Sequence, residues 1–342
     1  MEKAIIAMSG GVDSSVATYL MMDKGYDLSG VTLSLYSDNS EDINDAKKIC
    51  NKFGIEHTVL DLKTEFCDTV IADFINAYEN SRTPNPCIVC NRRIKFGRLL
   101  DYGLDNGFNT LVTGHYAIVE KSGDRYILKK GKDKNKDQSY MLYSLTQKQL
   151  SHTVLPLGTL TKAEVRELAE ENGLITARKS DSQDICFIPD GKYAEFIEDY
   201  LGKTYPHGDF VDLDGKVWGT HKGLIRYTIG QRKGLGLALP KPMYVCSLCP
   251  ENNTVILGDN KDLFTTTLTA SYVNLIACSR LERPITCEAK VRYSQSAQSA
   301  TVWQTENDKI RVEFDMPQRA ITAGQAVVLY DGDTVIGGGT ID

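Results

Sequence analysis

Residues Ser9-Gly10-Gly11-Val12-Asp13-Ser14 lie between an apolar run, Ala4-Ile5-Ile6-Ala7-Met8, and a helical pattern that begins Val16-Ala17-Thr18-Tyr19-Leu20-Met21. A glycine-rich loop therefore joins a buried strand to a helix start, which is an anion site. Gly10 and Gly11 let backbone N–H groups turn toward a phosphate without Cβ interference, and the helix adds the positive end of its dipole. A Walker A loop carries Gly-Lys-Ser/Thr after its spacer, and the lysine reaches the β- and γ-phosphates. Here Asp13 and Ser14 stand where that lysine would be useful. A strand-to-helix turn with no ligand is the weaker reading, because the motif falls where a phosphate loop requires it.

The chain of 342 residues is long enough for two or three domains, and 42% apolar with 25% charged residues is ordinary for a soluble globular protein. No apolar run approaches the ~20 residues of a membrane-spanning helix, and Glu2-Lys3 leads straight into a strand. A cytoplasmic protein without membrane attachment is expected. Nine cysteines, an odd number, point to reduced thiols, ligands or catalytic groups rather than a disulfide framework. A net charge of −6 does not advertise nucleic-acid binding, which would need local basic patches. Two exist: Arg92, Arg93, Lys95 and Arg98 on one expected helix, and the lysine-rich stretch from Lys121 to Lys136. On charge alone each reads as a solvated face.

Up to about residue 190, short apolar strands at 3–8, 30–36, 57–61 and 110–114 alternate with helices near 13–24, 41–53, 64–80 and 91–106, as in a parallel sheet covered by helices. Thr161 to Glu164 reads as a capping box opening a further helix that Gly173 ends, and Tyr193, Phe196, Ile197 and Tyr200 mark another. Beyond Gly202 the texture changes to short strands and tight turns, with Asp214-Gly215 and Asp331-Gly332 as hairpin signals. The expected architecture is α/β: residues 1–200 a Rossmann-like nucleotide domain, 201–266 a small β-rich domain, and 267–342 an antiparallel β-barrel. Arg226 to Gly236 is a glycine-rich basic loop that either touches phosphates or folds a tight turn.

Thr83-Pro84-Asn85-Pro86-Cys87-Ile88-Val89-Cys90-Asn91 is the second dense motif. Prolines stiffen the approach, and a C-x-x-C at the start of a basic helix favours thiolate over thiol. Cys186, between Ile185 and Phe187, could face the same cleft or be a small buried hydrophobe. Cys246 reads as a core residue of a strand, so a zinc site pairing Cys246 and Cys249 with Cys87 and Cys90 is the weaker reading. Cys50, Cys67, Cys278 and Cys287 are expected to pack in cores. His57 and His152 have no spaced partner for a metal.

The loop Ser-Gly-Gly-x-Asp-Ser resembles the PP-loop of adenine nucleotide α-hydrolase-like enzymes, and the whole chain resembles the tRNA-specific 2-thiouridylase (MnmA-type) family. The resemblance runs through Thr113-Gly114-His115-Tyr116, Lys136 to Tyr140, Asp184 to Ile188, Gly230 to Gly236, Val291-Arg292-Tyr293 and Thr322 to Gln325. It implies ATP, with Mg2+, held by Ala7, Met8, Ser9, Gly10, Gly11, Val12, Asp13, Ser14, Leu33 and Gly114. Asn85, Pro86 and Cys87 would face the target base, and His115, Lys136, Asp137, Gln138, Arg292, Tyr293 and Gln325 would contact tRNA. On that view the two basic stretches become plausible phosphate contacts.

The implied reaction is 2-thiolation of the wobble uridine. Its C2 oxygen is a poor leaving group until adenylation makes it leave as AMP. Cys186 would carry a persulfide received from a sulfur-relay partner, and Cys90 would attack it or help release hydrosulfide; the implied sulfur source is a sulfur-donor protein or, with cluster-bound hydrosulfide, free sulfide. Many relatives carry aspartate where this chain has Cys87. Cys87, Cys90 and Cys186 are therefore expected as ligands of a [4Fe–4S] cluster with one iron open, zinc being the nearest alternative metal. A monomer is expected. The competing readings are another PP-loop adenylating ligase acting on tRNA, and a tRNA-binding protein with a vestigial nucleotide site.

Overall fold

The computed structural model of the chain describes residues 2–36, 39–177, 179 and 185–342. Its first half contributes strands β1 (Lys3–Ala7), β2 (Asp27–Ser34), β3 (Glu56–Asp61), β4 (Thr110–Val112), β5 (Ala117–Ser122), β6 (Arg125–Lys130) and β7 (Thr153–Val154). Five of these form a parallel sheet in the order β3-β2-β1-β4-β7. Period-two alternation sends Ile5 to one face, against Phe96, Leu99 and Leu111, and Ile6 to the other, against Val16, Ala17 and Val165. Both isoleucines are at most 1% exposed, and burying each contributes about 1.5–3 kcal/mol. A sheet covered on both faces follows. Strand order reverses direction at β1, so the crevice beyond the carboxyl ends of β1 and β4 is the topological switch point where such sheets bind ligands.

The expected helices at 13–24 and 41–53 are present as Val12–Asp23 and Ser40–Phe53. Those expected at 64–80 and 91–106 each contain a π-helical stretch. The first runs Lys63–Phe66, Cys67–Ile71 (π) and Ala72–Glu79; the second runs Pro86–Cys90, Asn91–Arg98 (π) and Leu99–Asp105. Apolar periodicity does not distinguish an i→i+5 turn from an α-helical one, and such widened turns gather at functional sites. The capping box is formed at Thr161, whose hydroxyl accepts from the Glu164 N–H while the Glu164 carboxylate accepts from the Thr161 N–H at 2.6 Å.

The lysine-rich stretch from 121 to 136 is not a plain solvated face. It holds most of the β5–β6 hairpin, and β6 pairs with the last strand of the chain. The middle of the chain forms β8 (Gly208–Asp212), β9 (Val217–His221), β10 (Tyr244–Cys249) and β11 (Thr254–Gly258), in the order β10-β11-β8-β9. Gly215, at φ +83°, supplies the expected hairpin turn. Cys246 is only half-buried, at a bulge in β10, where the register slips between Val245 and Ser247. The bulge overturns the alternation that assigned it to the core.

The closing six strands are β12 (Phe264–Leu275), β13 (Ile285–Lys290), β14 (Gln298–Glu306), β15 (Lys309–Arg319), β16 (Ala326–Asp331) and β17 (Thr334–Ile341). They run antiparallel in the order β12-β15-β14-β13-β16-β17, and β12 pairs with β17 to close a barrel. Val302, Ile310, Val312, Val327 and Leu329 fill it. Among the described residues no helix is long and apolar enough to cross a membrane.

Candidate active site

The phosphate loop leaves β1 at the switch point. Gly10 has φ +68°, and a Cβ there would lie 2.5 Å from the Asp42 carbonyl oxygen, so only glycine fits. Gly11 precedes the helix without a side-chain cap, and the Ser14 hydroxyl donates back to the Gly11 carbonyl at 3.1 Å. Gly114, just past β4, is pressed against the same helix start: a Cβ would sit 2.9 Å from the Asp13 carbonyl carbon. Of the expected nucleotide residues, Met8, Gly10, Val12 and Ser14 are buried, Ser9 is exposed, and Ala7, Gly11, Asp13, Leu33 and Gly114 are half-buried.

Asp13 is held from outside the loop by two distant side chains. Lys162 donates to both its carboxylate oxygens at 2.8 Å, and the Tyr116 hydroxyl donates to Oδ1 at 2.7 Å. Tyr116 is fixed in turn, its N–H donating to Gln138 Oε1 at 2.9 Å. The motifs around 115 and 137 are thus wired to the phosphate loop. Sequence reasoning passed over Lys162, although its place at the head of a capped helix was legible.

The thiols lie on a second rim. Cys87 is exposed and Cys90 is 8% exposed, in a five-residue helix that Pro86 opens. Cys186 is exposed on a turn closed by a bridge between Ile185 and Ile188, while Phe187 anchors that turn against Phe66, Phe74 and Phe196. Asp184, quoted with this motif, lies outside the described residues. Burial pushes the Cys90 thiol up to about 12; Lys95 opposes this, and Cys186 and Cys87 add to it. Cys186 is raised as well, by desolvation of its sulfur and by Cys87, against Lys95. The three thiols therefore share one electrostatic neighbourhood.

The expectation of a thiolate at Cys90 is corrected by this placement. Cys90 belongs to the buried cluster that includes Phe66, Phe74 and Ile94, and desolvation outweighs the one cation that acts on it. Arg92 and Arg93 act instead on Asp73, whose carboxyl is raised by burial against their pull. The Lys95 charge acts on Cys90 and Cys186, favouring their thiolates, and on His115, disfavouring its protonation. Burial holds His115 well below the usual imidazole range, with Lys95 pushing the same way, and its Nδ1 lies 2.7 Å from Thr113 Oγ1. It is a neutral imidazole at physiological pH.

The remaining expected tRNA residues make internal bonds. Asp137 accepts from the Gly131 and Ser139 N–H groups, and Arg292 donates to the Ala320 carbonyl at 2.7 Å and to Thr322 Oγ1 at 3.0 Å. Tyr293 lies 6.0 Å from the Tyr140 ring with 37% of its surface exposed, and the Lys136 N–H closes a turn onto the Asp133 carbonyl. Asn85 directs its amide at the Met141 sulfur, and Gln325 donates to the carbonyls of Thr83 and Pro84. Lys129, Lys130 and Lys132 meet Glu120, Glu288 and Glu164. In the glycine-rich loop, Arg226 pairs with Glu195 and Glu198.

Among the described residues no three His, Cys, Asp or Glu side chains converge closely enough to hold a metal ion. Cys87 and Cys186 are exposed where Cys90 is buried. The donor set for a cluster, or for zinc, is not assembled in this structure.

Three family models tile the chain: a tRNA methyl transferase HUP domain over residues 2–190, a tRNA methyl transferase PRC-barrel domain over 194–259, and an aminomethyltransferase beta-barrel domain over 265–341. A tRNA-specific 2-thiouridylase MnmA of Acetivibrio thermocellus is 46% identical, the match covering 99% of each chain. A tRNA-specific 2-thiouridylase MnmA 2 of Clostridium tetani is 47% identical over 100% of this chain and 99% of its own. The chain belongs to the tRNA-specific 2-thiouridylase family of the MnmA type. Among solved structures, the U34-tRNA thiolase NcsA from Methanococcus maripaludis with its [4Fe-4S] cluster overlaps 58% of this chain and 67% of its own at 19% identity. Its TM-score of 0.38 is too low to transfer anything to this MnmA-type chain.

Proposed function

We propose that this chain is a tRNA-uridine 2-sulfurtransferase that uses ATP to replace the C2 oxygen of the wobble uridine with sulfur. The reading is supported by the glycine loop at the switch point of the sheet, where Gly10 has φ +68° and Gly114 is pressed against the Asp13–Ser14 backbone, in a chain of the MnmA-type family. In the first step the uridine C2 oxygen attacks the α-phosphate of ATP, and pyrophosphate leaves with the bonding electron pair. The nucleotide, with Mg2+, is assigned to Ser9–Ser14, Leu33 and Gly114, and the base to the rim of Asn85, Pro86 and Cys87.

In the second step sulfur attacks C2 and AMP leaves. Exposed Cys186 suits receipt of a persulfide sulfur from a donor protein's persulfide, and buried Cys90, whose thiol is raised in part by Cys186, suits the later attack. The terminal sulfur of the Cys186 persulfide bonds to C2. The Cys90 thiol, after losing its proton, then attacks the Cys186 sulfur, which releases 2-thiouridine and leaves a Cys90–Cys186 disulfide for an external thiol to reduce. His115, being neutral, is available to accept a proton. The persulfide route needs only Cys90 and Cys186, and among the described residues no three donors converge on a metal position. The test supplies unmodified tRNA, ATP and either sulfide or a persulfide donor to iron-free and to anaerobically reconstituted protein, with AMP and 2-thiouridine measured by mass spectrometry. AMP and 2-thiouridine from iron-free protein given the persulfide donor are expected. Activity only after iron loading would replace the persulfide route, and AMP formation without tRNA thiolation in either form would remove the sulfurtransferase reading.

A further inference from the structure

The phosphate loop brings a carboxylate, Asp13, to a site that must accept a polyanion, and carries no cation of its own. The fold supplies one from a position 149 residues later in the chain. Lys162 opens the helix Lys162–Glu171, whose Val165 and Ala169 pack with Val16 and Ala17 of the loop helix. Its stem is fixed at the backbone, where the Lys162 N–H donates to Asp133 Oδ2 at 3.0 Å and the Thr161–Glu164 box caps the same turn. Its ammonium is fixed at the other end by both oxygens of Asp13 at 2.8 Å and lies 5.8 Å from the Tyr116 ring centroid. The lysine side chain is 11% exposed, against 32% for Asp13, so this is not a solvated surface pair. A lysine held this way is a point charge with a set position at the mouth of the loop.

Resting on the ATP-dependent reading above, we infer that Lys162 is the cation that meets the pyrophosphate portion of ATP, with Asp13 and Tyr116 as the groups that aim it. When the Pα–O bond to the β-phosphate breaks, the electron pair leaves with pyrophosphate. The fixed ammonium opposes the negative charge that gathers there. Asp13 is thus a positioning residue. Its own charge, which would repel ATP, is neutralised by the lysine it orients. The alternative is that Lys162 only staples its helix to the loop.

The two are separated with full-length wild type, Lys162→Met, Lys162→Arg and Asp13→Asn, measuring inorganic pyrophosphate binding by calorimetry, tRNA-dependent AMP formation, and thermal unfolding. Lys162→Met is expected to bind pyrophosphate at least ~10-fold more weakly and to form AMP ~100-fold more slowly at saturating ATP, with part of both restored by Lys162→Arg. Asp13→Asn is expected to split the parameters, holding or raising pyrophosphate affinity while kcat falls, and it decides the matter if Lys162→Met does not fold. A Lys162→Met protein with a lowered unfolding temperature but pyrophosphate affinity and AMP formation within two-fold of wild type overturns the inference, as does Asp13→Asn with both parameters unchanged. Wild type that binds no pyrophosphate overturns it too. If wild type binds pyrophosphate in a Lys162-dependent way yet makes no AMP with tRNA, the reaction assigned above fails and the role of Lys162 stands.

Discussion

Gln325, at the rim of the barrel, donates its side-chain amide to the Pro84 carbonyl at 3.1 Å and to that of Thr83 at 3.0 Å. Gly324 lies beside it with no room for a side chain, since a Cβ would sit 2.9 Å from the Thr83 carbonyl oxygen. The position of the segment leading to Cys87 and Cys90 is thus set by a loop from the opposite end of the chain.

Removing that hold loosens the thiol rim more than the fold. The two bonds are together worth about 2 kcal/mol, so Gln325→Ala is expected to lower the urea midpoint modestly. The rate of thiolation should drop about ten-fold as the Cys87–Cys90 segment loses its alignment. An unchanged rate in a protein with a lowered midpoint would confine Gln325 to folding.

Thiol reactivity should follow burial. With the Cys90 thiol up at about 12, its thiolate fraction at pH 8 is roughly one in ten thousand. Iodoacetamide is therefore expected to label the exposed Cys87 and Cys186 well before Cys90, with Cys90 labelling rising as pH is raised. Peptide mass mapping over time checks this, and Cys90 modified first would contradict its placement in the core.

Stability should depend on pH through His115. Its folded-state pKa lies well below 6.5, so the unfolded chain binds the proton more readily. The contribution is complete above about pH 6.5 and is lost as pH falls below that value. His57 and His221 are lowered too, by burial first, so the informative quantity is a difference. Between pH 7 and pH 5, His115→Gln should lose less stability in urea than wild type; equal losses would mean that His115 is solvated.

Crowding at Gly114 gives a test of the crevice. A methyl group there would push on the Asp13–Ser14 backbone, at 2.9 Å and 3.1 Å from its carbonyl carbon and amide nitrogen. Gly114→Ala is expected to weaken ATP binding at least ~10-fold, because a misplacement of this size disrupts alignment. Its far-ultraviolet circular dichroism should be unchanged. ATP affinity equal to wild type would place the nucleotide elsewhere.

Much of this was legible in the sequence, for identifiable reasons. The parallel sheet follows from runs such as Ala4–Met8, and the loop from Gly10 and Gly11, because backbone conformation and burial are local properties. The second arm of the hairpin at Asp331-Gly332, β17, has bounds that periodicity does not show, because Gly337, Gly338 and Gly339 carry no alternation. They are required by contact, a Cβ at Gly338 falling 2.3 Å from the Val327 carbonyl oxygen and 2.8 Å from the Tyr143 ring. The state of Cys90 was misread since a motif displays its neighbours along the chain, Arg92 and Arg93, and not the core cluster that Cys90 joins in the fold. Lys162 was overlooked because nothing local ties residue 162 to residue 13.

The pairing of β6 with β17 has a consequence for synthesis. Thr334 and Val335 pair with Lys129 and Leu128, the Lys130 N–H donates to the Asp333 carbonyl at 2.8 Å, and its ammonium reaches Gly332, 202 residues away. While the chain leaves the ribosome, the nucleotide domain can form its sheet but must wait with one hairpin edge bare until the last strand emerges. A premature stop anywhere in the barrel would release not a shorter working enzyme but a first domain with an open, adhesive edge.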